Sequence, residues 1–251
     1  MSSDPQATPA PPARLPVVAI DGPSSSGKST VGAEAARRLR YRFCDTGLLY
    51  RAVTWLALER GLEATDSEAV VPLAAEVHLM ADEQGSLRRV KADGRDVTDE
   101  VCGAAVDRSV SAYSIVPELR AALVGRQRSI AAAGGIIMAG RDIGTVILPD
   151  ADLKIFLDAS PEERARRRAA QRQTAAATEA EQILEELRRR DAIDSTRQIA
   201  PLKAAPDAFV LKTDGKTFAQ TVTTVVRAIR ETEKRLGGGD REAVGGNRDG
   251  G

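Results

Sequence analysis

One loop of the chain has residue types and spacing suited to holding phosphate. Residues 22–30 fit the pattern G-x-x-x-x-G-K-[ST]. Glycines let backbone N–H groups converge on phosphate oxygens, and a following helix adds the positive end of its dipole. Lys28 can reach the β- and γ-phosphates of a nucleoside triphosphate, and Ser29 can offer its hydroxyl to Mg²⁺. The predicted nucleotide-binding residues are Gly22, Pro23, Ser24, Ser25, Ser26, Gly27, Lys28, Ser29 and Thr30.

The segments around this loop predict an α/β fold. An apolar run at 17–20 precedes the loop, and apolar residues at helical spacing follow it. The other predicted strands are 42–44, 135–139, 153–157 and 208–211, and the predicted helices are 29–40, 48–60, 117–132, 161–172, 179–190 and 218–234. This alternation predicts a three-layer α/β/α core with a parallel five-stranded sheet. Alternating residues at 77–101, with turns at 84–86 and 93–94, predict a small antiparallel insert standing off the core.

Composition excludes several classes of protein. Among 251 residues, Lys and Arg number 36 and so do Asp and Glu, and aromatic residues make up only 3%. The zero net charge and the scarcity of aromatic residues argue against a nucleic-acid partner. Two cysteines and one histidine provide neither a disulfide framework nor a metal quartet. No apolar run approaches the ~20 residues that span a bilayer, so we expect a cytoplasmic protein without a membrane partner.

Two further groups of polar residues follow predicted strands, where ligands of open α/β sheets bind. Asp45-Thr46-Gly47 follows the second strand, with Tyr50 and Arg51 in the first turns of the next helix. These residues either cap that helix or face the ligand. Arg141 and Asp142 follow the strand at 135–139. A guanidinium there can hold a phosphate and the carboxylate can accept from an amine, although the two can also form a simple turn.

Arginines recur on two predicted helices. Arg164, Arg167 and Arg168 share one face of the helix at 161–172, which begins with the capping box Ser160-Pro161-Glu162-Glu163. That face is either solvated or an arginine-lined cap of the kind that phosphoryl transfer needs. Arg190, Asp194 and Arg197 share a face if their helix continues, as an ion-pair group or as a clamp for a phosphate and a ribose hydroxyl.

Together these residues resemble the bacterial cytidylate kinases. The similarity covers about 17–230 and rests on four blocks in order: 20–23 with the phosphate loop, 45–53, 140–146 and 190–202. It implies a nucleoside monophosphate kinase at 16–236, with a CMP-binding insert at about 62–112 and a lid at about 160–180. The Pro-, Ala- and Ser-rich composition of 1–15 and the Gly-rich, charged composition of 237–251 separately predict disordered tails. One departure is Ala139, because the family pattern has an acidic residue before Gly140-Arg141-Asp142. The contact made by that acid is missing here, which bears on base or sugar preference.

The resemblance also implies a role for each matching residue. Arg51, Arg141 and Arg197 would hold the acceptor phosphate, and Arg190 and Asp194 would take the ribose hydroxyls. The cytosine edge would meet Ser111 and Arg120, with Thr46 and Asp142 near its amino group and Tyr50 lining the pocket. We expect Lys28, Arg141, Arg164 and Arg168 to be catalytic and Ser29 to hold the metal.

The predicted reaction moves the γ-phosphoryl group of ATP, with Mg²⁺, onto CMP or dCMP in a monomeric enzyme. An alternative is a kinase for another small acceptor, such as UMP, AMP, shikimate or a coenzyme precursor. A GTP-dependent switch would need an Asn-Lys-x-Asp motif, whereas the one asparagine of the chain, Asn247, lies in the C-terminal tail. A nucleic-acid-binding module using the arginine-rich helix is the third alternative.

Overall fold

The computed structural model describes residues 14–172 and 177–238. In this part of the chain eight strands form one mixed sheet, in the order β3-β4-β2-β6-β1-β7-β8, with β5 paired to β4. The strands are β1 (Val17–Asp21), β2 (Arg42–Asp45), β3 (Val77–Ala81), β4 (Leu87–Ala92), β5 (Arg95–Asp96), β6 (Ile136–Gly140), β7 (Leu153–Asp158) and β8 (Phe209–Lys212). Strands β2, β6, β1, β7 and β8 pair in parallel and are the five predicted strands, so the α/β prediction is confirmed.

The α-helices of the described residues follow the predicted alternation, with two additions at Ser67–Val70 and Ala104–Ser114. They are α1 (Lys28–Leu39), α2 (Gly47–Glu59), α3 (Ser67–Val70), α4 (Ala104–Ser114), α5 (Pro117–Ala131), α6 (Pro161–Arg172), α7 (Ala177–Thr196) and α8 (Phe218–Gly238). Helix α4 was missed by the sequence analysis. Its buried residues Val106, Val110 and Tyr113 recur at helical spacing, so the sequence did contain a signal for it.

The sequence predicted that the hairpin of β3 and β4 stands off the core, and this prediction is wrong. Strand β4 pairs in parallel with β2 through Cys44 and Leu87, so the insert extends the central sheet. The physical reason is that β2 would otherwise be an edge strand with unpaired backbone groups. The two predicted turns are confirmed, since Gly85, Asp93 and Gly94 all have positive φ angles at the ends of paired strands.

The core of the described residues comprises several clusters, and the two largest position the site. Apolar side chains of β1, β6 and β7 pack with α1 and α8 on one side of the central sheet. A second cluster joins α2, α4 and α5 to the hairpin strands β3 and β4. The carboxyl ends of β1, β2 and β6 are thereby held between these two clusters, and the predicted site residues follow these strands.

The predicted tails lie mostly beyond the described residues. Residues 1–13 and 239–251 are outside them, as are 173–176 of the predicted lid. Arg14 is described, and its guanidinium donates two hydrogen bonds to Asp152. Helix α8 continues to Gly238, four residues past its predicted end. No helix within 14–172 or 177–238 combines the length and apolar character that crossing a bilayer requires.

Helix α1 packs so closely on the sheet that it requires glycine at position 32. A Cβ atom there would lie 2.7 Å from Cε2 of Phe43, whose side chain is fully buried. Gly32→Ala should therefore lower the free energy of unfolding by about 1–3 kcal/mol, the usual effect of overpacking. Urea denaturation with an unchanged m-value would measure it.

Gly125 on α5 is the matched control, because nothing lies within 4 Å of a Cβ built there. Gly125→Ala should raise the free energy of unfolding by about 0.4–1 kcal/mol, because alanine lowers the conformational entropy of the unfolded chain. If both substitutions were equally stabilising, the described approach of α1 to Phe43 would be wrong.

Candidate active site

The phosphate loop connects β1 to α1 as predicted. Gly27 lies at the N-terminal end of α1 with φ 93°, and the non-glycine residue Ser25 has φ 59°. At Gly22, a Cβ atom would come within 2.3 Å of the Leu157 carbonyl oxygen, so β7 leaves no room for a larger residue. The Lys28 ammonium donates to the Pro23 carbonyl at 3.0 Å and so follows the curve of the loop.

The loop borders a cavity of about 380 Å³ that contains most of the predicted site. Its predicted lining residues are Ser24, Ser25, Gly27, Lys28, Ser29, Thr30, Thr46, Tyr50, Arg51, Ser111, Arg120, Arg141, Asp142, Arg168, Arg190, Asp194 and Arg197. Gly22, Pro23, Ser26 and Arg164 are not part of the lining. Among the described lining residues, eight are cationic and three are acidic, so the cavity suits polyanionic ligands.

One buried ion pair and one partly buried ion pair hold Arg120 and Arg141 at the cavity. Arg120 donates to Asp142, and the Arg120 guanidinium lies over the Tyr50 ring at 5.6 Å from its centroid. Nε of Arg141 donates to Oδ2 of Asp194 at 3.0 Å. Burial raises the pKa of Asp142, although Arg120 and Arg197 oppose the shift. Each guanidinium is thus oriented by a carboxylate and keeps further N–H groups for a ligand.

Two donors near these pairs have no acceptor in the described part of the chain. They are Nε of Arg190 and Nη2 of Arg197, and both atoms are buried. Burial lowers the pKa of Arg190 to about 9, with Arg141 and Arg51 contributing in the same direction. Buried donors normally have partners, so these atoms indicate a missing anionic or hydroxyl acceptor.

Two charged groups at the phosphate loop are also shifted by burial. Burial lowers the pKa of Lys28 well below its usual value, and Arg141 adds to the shift. Burial raises the pKa of Asp21 to about 6, although this carboxylate accepts from the N–H groups of Ile143 and Gly144 at 2.8 and 2.7 Å. A bound phosphate group would stabilise the charged form of the Lys28 ammonium, which burial and Arg141 disfavour.

Helix α6 brings two of its three predicted arginines into the cavity. Half of its predicted capping box is formed, since Ser160 Oγ accepts from the Glu163 N–H at 3.3 Å. The Ser160 N–H instead donates to Asp214, and the Glu163 carboxylate pairs with Arg166 and Arg167. Arg167 and Arg168 line the cavity, whereas Arg164 donates to the carbonyls of Ala159 and Ser24 and pairs with Asp191 at 2.6 Å. Helical spacing could not separate them, because the three arginines share one face.

Arg164 therefore braces the phosphate loop through the Ser24 carbonyl in this structure. Its guanidinium is buried, and it contacts the carbonyl of the cavity-lining residue Ser24 together with Ala159 and Asp191, which lie outside the lining. Contact between Arg164 and the migrating phosphoryl group would require α6 to move.

Sequence reasoning missed several functional residues. Asp45 and Gln171 line the cavity but were not assigned to the site, and Arg167 was expected on the arginine face of its helix but was not among the residues predicted to be catalytic. Asp45 was visible in the Asp45-Thr46-Gly47 motif as a capping candidate, and it does accept from the Gly47 N–H at 3.1 Å. Asp107 on α4 contacts three cavity arginines and carried no sequence signal, because its partners are distant in the chain.

Comparison with known proteins gives one consistent result. The family model described as cytidylate kinase matches residues 18–231. The cytidylate kinase of Mycolicibacterium paratuberculosis is 47% identical over 217 residues, which cover 86% of this chain and 95% of that protein. The cytidylate kinases of Pelotomaculum thermopropionicum and Limosilactobacillus reuteri are 44% and 42% identical, covering 86% and 87% of this chain and 96% and 97% of theirs. This chain therefore belongs to the cytidylate kinase family.

Proposed function

We propose that this protein transfers the γ-phosphoryl group of ATP to CMP or dCMP, forming ADP and CDP or dCDP. The observation that carries the proposal is the single cavity shared by two anion-binding groups. The phosphate loop with Lys28 lies on one side, and Arg51, Arg141 and Arg197 line the other. A site with two separate phosphate-binding groups suits transfer between two nucleotides better than hydrolysis of one.

Phosphoryl transfer asks the protein mainly for alignment and charge stabilisation. Lys28 and the backbone N–H groups of the loop would bind the triphosphate. Arg167 and Arg168 extend into the same cavity from α6 and would stabilise charge on the transferred group. The acceptor is a phosphate oxygen that is already anionic at neutral pH, so the reaction needs no general base. Closure of α6 over the nucleotides would exclude water, which otherwise competes as acceptor.

Mg²⁺ fits the donors at the ATP side of the cavity. Ser29 and Asp45 both line it, and hydroxyl and carboxylate oxygens are the ligands that this hard cation prefers. Ser29 would hold the ion, which when bound neutralises charge on the β- and γ-phosphates.

The acceptor nucleoside would lie near α4 and α5. Ser111 and Arg120 line the cavity there and would meet the cytosine edge, with Tyr50 beside them. Asp142 would accept from the cytosine amino group. The Thr46 hydroxyl donates to the Ala139 carbonyl at 2.9 Å and leaves its oxygen as an acceptor. Arg190 and Asp194 would bind the ribose hydroxyls.

Ala139 supplies no polar group to this site. Its side chain is fully buried, and it pairs in register with Ile20 and Asp45. The acid that the family pattern has at this position is therefore replaced by apolar packing. The neighbouring carboxylate of Asp45 still faces the cavity.

A panel of acceptors tests the proposal. ADP release with ATP and Mg²⁺ should give kcat/KM for CMP and dCMP at least about 100-fold above UMP, since a site that bonds the exocyclic amine rejects an analogue lacking it. AMP has an exocyclic amine but on a larger purine base, so it should also be a poorer acceptor than CMP. Equal rates for UMP or AMP would overturn the choice of base. Turnover with shikimate or another metabolite, and none with a nucleotide, would support the alternative of a kinase for another small acceptor. The cytoplasmic location, the monomeric state, the absence of a nucleic-acid partner and the domain bounds stay predictions.

A further inference from the structure

Asp107 contacts the arginines of the cavity from outside it. Its Oδ1 accepts from Nη2 of Arg51 at 2.5 Å and lies 3.6 Å from Nη1 of Arg190. Its Oδ2 accepts from Nη2 of Arg168. Asp107 does not line the main cavity but lines a smaller cleft of about 40 Å³, which Arg168 and Arg190 also border. The guanidiniums therefore separate this carboxylate from the space where the nucleotides would bind.

These contacts join four helices at one side chain. Asp107 lies on α4 of the insert, Arg51 on α2, Arg168 on α6 and Arg190 on α7. Only 10% of the Asp107 side chain is exposed. Burial alone would raise its pKa, but Arg51 and Arg168 outweigh burial and hold the pKa below its usual value. A carboxylate that is ionised at neutral pH thus connects the acceptor side to the lid helix.

We propose that Asp107 is a positioning residue for phosphoryl transfer, holding Arg51 and Arg168 on one carboxylate before the nucleotides bind. The inference rests on the proposed function. A guanidinium has five N–H groups, so each arginine can donate to Asp107 and still present donors to a phosphate. Donors fixed before the reaction stabilise the transition state without reorganisation, whereas long arginine side chains otherwise sample many rotamers.

Loss of the Asp107 carboxylate should affect both kcat and the KM for CMP, because Asp107 contacts two arginines with different proposed roles. Arg168 would act on the transferred group and Arg51 on the acceptor phosphate. Asp107→Asn keeps the size and removes the charge, so kcat should fall about tenfold and the KM for CMP should rise severalfold. The KM for ATP should stay within a factor of about two. Asp99→Asn is the control, because Asp99 is exposed on the same insert and outside the cavity lining.

A double-mutant cycle with Arg168→Ala tests whether Asp107 affects kcat by acting on Arg168. In the Arg168→Ala background, Asp107→Asn should no longer lower kcat but should still raise the KM for CMP. A general loss of packing would instead lower kcat by the same factor in both backgrounds. If the asparagine variant does not fold, Asp107→Glu keeps the charge and should give a smaller kcat reduction that also disappears without Arg168.

Three outcomes would overturn the inference. These are wild-type kcat in folded Asp107→Asn, a raised kcat, and equal kcat reductions with and without Arg168. An active wild-type enzyme with any of these outcomes leaves the proposed function intact. A wild-type protein that does not phosphorylate CMP or dCMP contradicts the proposed function instead.

Discussion

Lys28→Ala should lower kcat with CMP by about 10³-fold or more, the range seen when a group that stabilises the transferring phosphoryl is removed. Lys28 lies in the phosphate loop at the cavity, and its ammonium is the cationic side chain of that loop. Initial rates of ADP release at saturating ATP and CMP give the measurement. Turnover close to that of the wild type would contradict the mechanism.

Although Lys28→Ala should lower kcat, it should leave the free energy of unfolding unchanged or raise it. Burial and Arg141 lower the pKa of Lys28, which means that the charged ammonium is disfavoured in the nucleotide-free protein. Lys28→Ala should therefore unfold at an equal or higher denaturant concentration than the wild type, but ATP with Mg²⁺ should stabilise it less. Lys91→Ala is the control and should change neither property, because Lys91 is an exposed residue of β4 outside the cavity lining. Reduced stability without nucleotide would show that the activity loss came from damage to the fold.

Arg141→Met should lower kcat/KM for CMP by about 10³-fold while the KM for ATP changes little. Arg141 lines the cavity, and its Nε donates to Asp194, which leaves the rest of the guanidinium for the acceptor phosphate. Initial rates at varied CMP and fixed saturating ATP separate the two substrates. A defect confined to the KM for ATP would place Arg141 on the donor side and contradict the assignment.

Two further variants make this test specific. Arg141→Lys keeps the charge but loses the forked donors, so its kcat/KM for CMP should fall between those of the wild type and Arg141→Met. Arg128→Met removes an arginine that donates to the carbonyls of Ile147 and Val146, outside the cavity lining. That control should keep wild-type kinetics.

Local features of the fold were predictable because their causes are close together in the chain. The strand, loop and helix around Lys28 follow from an apolar run, glycines and helical spacing within about 25 residues. The N-cap at Ser160 was predictable for the same reason. Residue type and position suggested that Arg141, Asp142 and Asp194 bind a ligand, and the family resemblance specified the role of each; the structure brings these residues together in one cavity.

The missed features depend on contacts between distant residues. Pairing of β4 with β2 joins Leu87 to Cys44, and local alternation in the hairpin says nothing about which edge it will meet. Asp107 finds its partners on three other helices, so its carboxylate looked like any other surface acid. The different environments of Arg164 and Arg168 likewise depend on where α7 and the loop lie against α6.

The excess of cationic over acidic side chains in the cavity makes nucleotide binding an exchange of ions. Without nucleotides, inorganic phosphate or sulfate in the buffer would collect at the unmatched guanidinium groups. ATP and CMP must then displace these ions, and their apparent affinities will fall as the concentration of multivalent anions rises. Measured KM values for this protein consequently depend on the anions in the buffer. Values from different laboratories are comparable only at the same anion composition.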